Sequence, residues 1–319
     1  MAGNQTSSLD EDTLGSRWQN VREFSFLLSA IGAVITTVLP FLSIGGSGLL
    51  LIVITKYPQL RHVPSNLLLA SLGVADLLTG LLVQPLHGAA CVCVLFGKEC
   101  SSISISNVYF YVGSFLTYSS CLNIAVITID RYICIVESLR YPAIMTKTRA
   151  IQAIIFSWTV SAVLPVTRLI PSYPLTLIKV SQSILILTVL SVIIFCYIKI
   201  SSISRRHKEH ICCQMQAVTK GPIKQDFKSV NTVFLVVGAV ILSYVPLLVV
   251  QVCLTFNVVK YQVKILYPFS ITFFLLNSSV NPLIIFFRSR KIHKFLSRLL
   301  KRHAGTWFFC QLLKIAREK

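Results

Sequence analysis

Long apolar runs without charged side chains constrain the fold of this chain more than any other feature of its sequence. Residues 24–55 and 229–259 contain no Asp, Glu, Lys or Arg, and each exceeds the ~20 apolar residues that a helix needs to cross a lipid bilayer. Apolar runs of at least ~18 residues with few charges are read as membrane spans. The sequence contains seven of them, at about 24–55, 67–95, 102–133, 150–170, 175–198, 229–259 and 265–287.

These runs are predicted to be helices and not strands. In hydrocarbon every backbone N–H and C=O must pair, which permits helices or closed barrels, and a barrel strand needs only ~9–11 residues of alternating polarity. With 54% hydrophobic and 13% charged residues, against roughly 25% charged in a soluble domain, a soluble enzyme is not expected. We predict an all-α membrane protein, a seven-transmembrane helix bundle, with kinks at prolines inside the runs: Pro40, Pro85, Pro165, Pro246 and Pro282.

The positive charge of the chain predicts its orientation. The net charge is +19, from 30 Lys and Arg against 11 Asp and Glu, which in a soluble chain would suggest nucleic acid. If the N-terminus is extracellular, 23 of the 30 basic residues lie on the cytoplasmic side, where basic residues are usually enriched. We therefore predict a multi-pass plasma membrane protein with a cytoplasmic C-terminus, whose basic face meets membrane lipids and not nucleic acid.

A carboxylate in the second run, Asp76, is predicted to be a functional site. A charged side chain at the centre of a membrane helix costs about 2.5–3.5 kcal/mol on insertion scales, so Asp76 needs partners from other runs. Hydroxyl and amide groups around a carboxylate suit a small hard cation or a proton, and the alternative is a polar cluster that only joins helices. The candidate partners are Ser120, Asn123, Asn277, Ser278 and Asn281.

A second charged constellation ends the third run. Arg131, within Asp130-Arg131-Tyr132, could pair with Asp226 at the inner end of the sixth run. A salt bridge at a half-wet membrane edge is worth about 1 kcal/mol, which is weak enough for a switch to break. The alternative is an arginine that only anchors the helix at the membrane surface.

Several of these residues have the order and spacing of one receptor family. The chain resembles the rhodopsin-like (class A) G protein-coupled receptors over about residues 25–302, on the basis of Asp76, Asp130-Arg131-Tyr132, Trp158, Pro246 and Asn281-Pro282. The resemblance implies an allosteric sodium pocket, an Arg131 switch for the G protein and an Asp226 lock. The pocket would comprise Asp76, Ser120, Asn277, Ser278 and Asn281. The segments Asn281 to Ser289, Leu139 to Tyr141 and Met145-Thr146 are similar to the melanocortin and adenosine receptors.

The chain also departs from the family pattern. Ser47 replaces an Asn, Tyr244 replaces the Trp two residues before Pro246, and Ile285 replaces the Tyr of the seventh-helix motif. Ser106 stands where the family places the third-helix cysteine of a disulfide. Among the ten cysteines, Cys100 could pair with Cys93 or Cys91, or remain a free thiol.

The remaining polar and aromatic residues predict the ligand class. Gly113 stands where amine receptors place an Asp, which disfavours an amine ligand, and residues 265–287 contain no Lys for a retinal Schiff base. A pocket of aromatic and neutral polar groups suits a neutral or weakly polar ligand, although each ring could instead only pack between helices. The candidates are Gln84, His87, Tyr109, Phe110, Gly113, Thr117, Gln182, Tyr244, Gln251 and Tyr267.

The segments outside the bundle have simpler patterns. Apolar residues recur with a helical period at Ile292, Phe295, Leu296, Leu299 and Leu300, which predicts a short amphipathic interfacial eighth helix. Asn4 lies in a glycosylation sequon, and Cys310 is a palmitoylation site or a free thiol. The predicted regions are an extracellular tail (1–23), the receptor domain (24–287), helix 8 (288–302) and a cytoplasmic tail (303–319).

We therefore predict a receptor that binds an extracellular ligand within its helix bundle and activates a heterotrimeric G protein. It is not expected to be an enzyme, and no cofactor is predicted apart from the allosteric sodium ion. Two alternatives remain at this point: an ion-coupled transporter or channel that uses Asp76, and a seven-helix receptor that does not couple to a G protein.

Overall fold

The computed structural model describes residues 5–96, 103–167, 174–216, 228–256 and 260–288, together with Ile292, Lys294, Phe295 and Arg298. Every regular element within these residues is helical. The α-helices are α1 (Gln5–Lys56), α2 (Pro58–Arg61), α3 (Pro64–Leu78), α4 (Gln84–Leu95), α5 (Ile103–Val136), α6 (Tyr141–Ile144), α7 (Lys147–Val166), α8 (Leu175–Gln216), α9 (Lys228–Thr255) and α10 (Lys260–Arg288).

Seven stretches of the described helices are long and apolar enough to cross a membrane, which confirms the predicted bundle. In order they are Phe26–Lys56, Pro64–Cys93, Val108–Val136, Lys147–Val166, Thr176–Ile203, Gly238–Thr255 and Leu266–Phe286. We call them the first to the seventh span. Successive spans run in opposite directions, so Arg131 and Lys147 lie at one end of the bundle, the Arg131 end, and Cys93 and Gln182 lie towards the other, the Gln182 end.

The second span is not a uniform α-helix. A π-helical turn, Thr79–Val83, separates α3 from α4 and lies just before Pro85. A proline ring clashes with the carbonyl group four residues earlier, here that of Leu81, and a wider π turn relieves this clash. The distortion predicted at Pro85 therefore lies two to six residues earlier in the chain.

The fourth span begins and ends earlier than the predicted 150–170. Its helix, α7, starts at Lys147 because the Thr146 side chain accepts a hydrogen bond from the backbone N–H of Arg149, which is a standard way to begin a helix. Helix α7 ends at Val166.

The first span packs very closely against the second and seventh spans. A Cβ atom on Gly46 would lie 2.8 Å from Cβ of Pro282, and one on Gly80 would lie 2.8 Å from Cβ of Ser43. Only glycine fits at these two positions without displacing a neighbour. The core itself surrounds α5, which contacts α3, α7 and α8.

We expect Gly46→Ala to destabilise the protein by about 1–3 kcal/mol, the usual cost of overpacking a tight contact. Gly45→Ala is the matched control, because a Cβ atom on Gly45 would meet nothing within 4 Å. Thermal unfolding of the purified variants measures the difference. Equal melting temperatures for the two alanine variants would contradict the close contact.

Only part of the segment after α10 is described. Ile292 is fully buried against Leu50, Val53 and Ile54, and the ring of Phe295 lies 4.4 Å from that of Tyr57. The four described residues are helical and attach this segment to the Arg131 end, but they do not establish the eighth helix along its predicted length. Asn4 and Cys310 lie outside the described residues.

The cysteines settle one alternative of the sequence analysis. Cys91 is a free thiol, so its pairing with Cys100 is wrong. Cys93 is disulfide-bonded, and its partner is none of the five cysteines that are free among the described residues. Cys100 lies outside the described residues, and its pairing with Cys93 remains a prediction beside the alternative of a free thiol.

Candidate functional site

Asp76 lies at the centre of a buried polar cluster. It is fully buried; Ser120 donates a hydrogen bond to its Oδ1 over 3.0 Å, and Asn281 Nδ2 donates to its Oδ2 over 2.9 Å. Ser278 also lies within hydrogen-bonding range of the carboxylate. The second, third and seventh spans therefore meet at one carboxylate.

Two predicted partners of Asp76 have other contacts. Asn123 Nδ2 donates to the backbone carbonyl of Ser119, one turn earlier on its own helix, over 2.8 Å. Asn277 Nδ2 donates to the hydroxyl of Tyr244 over 3.3 Å. The structure thus places Ser120, Ser278 and Asn281 around the carboxylate, and it directs Asn277 towards the sixth span.

The chemistry of this cluster suits a cation. A buried carboxylate is strongly disfavoured without a compensating charge or a proton. Carboxylate, hydroxyl and amide oxygens are the groups that hard cations prefer. The cluster can therefore accept a monovalent cation or a proton, and it has the oxygen atoms for either role.

A second cluster lies at the Arg131 end. Arg131 Nη2 lies 3.4 Å from Oδ2 of Asp130, which is fully buried, while 34% of the Arg131 side chain is exposed. The hydroxyl of Tyr141 donates to Oδ1 of Asp130 over 2.8 Å, and Ser65 Oγ lies 2.6 Å from the same hydroxyl. Because the Tyr141 proton goes to the carboxylate, Ser65 is the donor to the tyrosine oxygen.

The Tyr141 phenol remains protonated in this arrangement. Burial raises its pKa to about 12, and the neighbouring Asp130 contributes to the increase although the hydrogen bond from Ser65 opposes it. The link between Asp130, Tyr141 and Ser65 was not predicted from the sequence. Asp226, the predicted second partner of Arg131, lies outside the described residues.

A cavity of about 470 Å³ connects the two clusters. It lies between the second, third, fifth, sixth and seventh spans. Arg131 and Tyr141 line one end of the cavity, and Asn277 and Asn281 line the other. The side-chain amide of Asn281 also donates the hydrogen bond to Asp76. Ile285, which replaces the tyrosine of the family motif, also lines it.

His87 and Gln84, the two residues of the second span that were predicted to contact the ligand, form hydrogen bonds to side chains of other spans. His87 is 2% exposed; its Nδ1 lies 3.0 Å from the Tyr109 hydroxyl and its Nε2 lies 3.0 Å from Thr272 Oγ1. Gln84 Nε2 donates to Ser43 Oγ over 3.0 Å. His87 thus joins the second, third and seventh spans, and Gln84 joins the second to the first.

Other candidates remain near the Gln182 end. Gln251 Nε2 donates to Gln182 Oε1 over 2.8 Å and links the sixth span to the fifth. A Cβ atom on Gly113 would meet only Val83 Cγ1, at 3.6 Å, so the position has room for a side chain. Thr117 is partly exposed and Tyr267 is 38% exposed.

The rest of the predicted site residues have packing roles in the structure. The Phe110 ring is edge-on to Tyr111 at 5.7 Å, Tyr132 lies 6.5 Å from Phe195, and Tyr244 is edge-on to Phe274 at 4.7 Å. These distances describe ring centroids. Pro282 contacts the first span at Gly46, as described above.

Comparison with known proteins gives a consistent result. The family described as 7 transmembrane receptor (rhodopsin family) matches residues 46–173. Trace amine-associated receptor 5 of Mus musculus is 26% identical over 87% of this chain and 85% of its own length, and trace amine-associated receptor 7d of the same species is 29% identical over 83% and 82%. The histamine H2 receptor of Cavia porcellus is 31% identical over 41% of this chain and 36% of its own length.

Proposed function

We propose that this chain is a rhodopsin-like (class A) G protein-coupled receptor, that its extracellular ligand enters at the Gln182 end, and that Arg131 engages the G protein at the other end. The cavity between Arg131 and Asn281 supports this proposal, because it joins the predicted switch to the buried carboxylate. The protein is a multi-pass protein of the plasma membrane and not an enzyme. The finer likeness to melanocortin and adenosine receptors remains a prediction.

The proposed orientation places the Arg131 end in the cytoplasm. Several basic side chains cluster there, and basic residues are enriched on the cytoplasmic side of membrane proteins. Anionic lipid headgroups of the inner leaflet would contact these side chains, and no nucleic acid is proposed. The basic residues at this end whose side chains the structure describes are Lys56, Arg61, Arg131, Arg140, Lys147, Arg149, Lys199, Lys294 and Arg298.

The proposed role of the Asp76 cluster is to bind a sodium ion as an allosteric ligand. Asp76 supplies the negative charge, and Ser120, Ser278 and Asn281 surround it. Asn277 would join the cation by turning away from Tyr244. This movement would couple the cluster to the sixth span, because the present bond of Asn277 is to that span.

The proposed ligand is neutral or weakly polar. The trace amine-associated and histamine receptors are amine receptors by name, yet the position where amine receptors have an acidic residue is Gly113 here. The carboxylates whose side chains the structure describes lie elsewhere: Glu23 precedes the first span, Asp76 is central, and Asp130 and Glu137 lie at the Arg131 end. An ammonium group between the spans at the Gln182 end would have none of these four carboxylates as its partner.

Leu139 provides a test of the coupling surface. It lies at the Arg131 end and is 96% exposed, which is unusual for a leucine outside the lipid. Burying such a side chain against a partner contributes about 1.5–3 kcal/mol. We therefore expect Leu139→Ala to lower nucleotide exchange on a heterotrimeric G protein by roughly tenfold or more.

The measurement uses purified receptor in phospholipid vesicles with G protein added. Leu139→Met is the matched control, since it keeps an apolar side chain of similar volume and should retain exchange. Ion flux through the same vesicles is recorded in parallel. Flux that requires Asp76, with no nucleotide exchange in any variant, would support the transporter alternative and exclude the proposed coupling.

A further inference from the structure

One residue of the predicted sodium pocket, Asn277, is bonded to the sixth span and not to Asp76. Ser278 and Asn281 of its own span both bond to the carboxylate. Asn277 lies one helical turn before Asn281 in α10, and residues four apart lie on the same face of a helix. Its Nδ2 nevertheless donates to the Tyr244 hydroxyl over 3.3 Å. The amide best placed to join the cluster therefore has another partner.

The Tyr244 hydroxyl is held in place beside the carboxylate. Tyr244 is 1% exposed, and its ring packs edge-on against Phe274. The hydroxyl is also hydrogen-bonded to Cys121 of the third span, and it interacts electrostatically with Asp76. A hydroxyl has one proton and two lone pairs, so it can donate to the sulfur of Cys121 while it accepts from Asn277.

The bond to Asn277 depends on the residue type at position 244. The sequence has a tyrosine here in place of the tryptophan of the family pattern. An indole N–H group can only donate, so a tryptophan would offer no lone pair to the N–H group of Asn277. The phenol oxygen does offer one. The substitution therefore gives Asn277 a hydrogen-bond partner that lies outside the Asp76 cluster.

We propose that Tyr244 competes with the cation at Asp76 for the amide of Asn277, so that cation binding breaks the bond between the sixth and seventh spans. This inference rests on the proposed function, which assigns a sodium ion to the Asp76 cluster. Only receptors in which the bond to Tyr244 is open offer the amide of Asn277 to the cation. The apparent affinity for the cation is lowered in proportion to that fraction.

The competition has a reciprocal consequence for the sixth span. If Tyr244 weakens cation binding, the cation must weaken the hold of Asn277 on Tyr244 by the same factor, because the two equilibria are linked. The concentration of sodium then determines how often the sixth span is released from the seventh at this point. Tyr244 is a regulatory residue of the cation site and not one of its ligands.

Removing the hydroxyl tests the competition. Tyr244→Phe keeps the buried ring and removes the acceptor, so sodium should bind roughly fivefold more tightly, the factor expected for one neutral hydrogen bond. The melting temperature of the purified receptor is followed as sodium chloride replaces choline chloride at constant ionic strength. Relative to its own melting in choline, Tyr244→Phe should reach a given gain at roughly one-fifth of the sodium concentration that the wild type needs.

Two further variants separate this effect from a general change of packing. Tyr118→Phe removes another buried tyrosine hydroxyl, which is bonded to Ser114 and Gln182, and should keep the sodium dependence of the wild type. Asn277→Ala should weaken sodium binding. When Asn277→Ala is already present, Tyr244→Phe should have no further effect on sodium binding, because the two residues act through one bond.

The inference is overturned if Tyr244→Phe and the wild type respond equally to sodium, or if the tighter binding persists when Asn277 is alanine. Weaker sodium binding by Tyr244→Phe would also overturn it, because the hydroxyl would then be a ligand of the cation. In these three cases sodium still stabilises the wild type, and the proposed sodium site stands. Sodium that stabilises none of the variants would overturn both the site and this inference, whereas G protein coupling is measured separately with the Leu139 variants.

Discussion

Replacing Arg131 with alanine is expected to abolish G protein activation, whereas Asp130→Asn is expected to raise activity without ligand. Arg131 lines the cavity and is partly exposed, and its described ionic partner is Asp130 at 3.4 Å. A half-exposed ion pair of this length contributes about 0–1 kcal/mol. Neutralising Asp130 would therefore release the guanidinium group and shift a two-state equilibrium by up to roughly fivefold.

Nucleotide exchange on the G protein, at equal receptor density in vesicles, measures both effects. Arg140→Ala is the matched control, because Arg140 is an exposed arginine of the same end that does not line the cavity. Arg140→Ala should retain most of the activity. If Arg131→Ala exchanges nucleotide as fast as Arg140→Ala, Arg131 is only a membrane-surface anchor.

Replacing Asp76 with asparagine is expected to remove any stabilisation of the receptor by sodium. A ligand that binds only the folded state stabilises it by about 2.7 kcal/mol at a concentration one hundred times its Kd. The wild type should melt at a higher temperature in sodium chloride than in choline chloride of equal ionic strength. Asp76→Asn should melt at one temperature in both salts, because asparagine keeps acceptor and donor atoms but has no charge.

Adjacent serines of the third span supply a finer control. Ser120 donates to Asp76, whereas the neighbouring Ser119 accepts from Asn123. Ser120→Ala should reduce the sodium effect and Ser119→Ala should leave it unchanged. Identical melting of the wild type in the two salts would show that the cluster only holds helices together.

The spans could be predicted from the sequence because length and hydropathy alone determine whether a helix crosses a bilayer. The contacts of Ser120 and Asn281 with Asp76 could also be predicted, because a carboxylate inside the membrane needs polar partners from neighbouring helices. Asn123 was a wrong expectation, since a short amide on a helix can bond to the carbonyl one turn earlier on its own chain. Single-span patterns do not reveal which of these two options an amide takes.

The contacts at the Arg131 end depend on the path of a loop. Tyr141 reaches Asp130 because the connection after Val136 returns the chain beside the second span, where Ser65 lies. Nothing in residue spacing determines that path. The roles of His87 and Gln84 depend in the same way on the rotation of each helix about its axis. Close packing sets this rotation, for example where Gly46 of the first span meets the seventh span and where Ser43 of the first span meets Gly80 of the second.

The His87 contacts have a mechanical consequence for the receptor. Together with the bonds of Gln84 to Ser43 and of Ser279 to the Leu39 carbonyl, they tie the first, second, third and seventh spans to one another between the bundle centre and the Gln182 end. The fifth and sixth spans are joined there to each other through Gln182 and Gln251. This part of the bundle is therefore stiff on one side, and ligand binding should displace the fifth and sixth spans as a pair relative to the four linked helices.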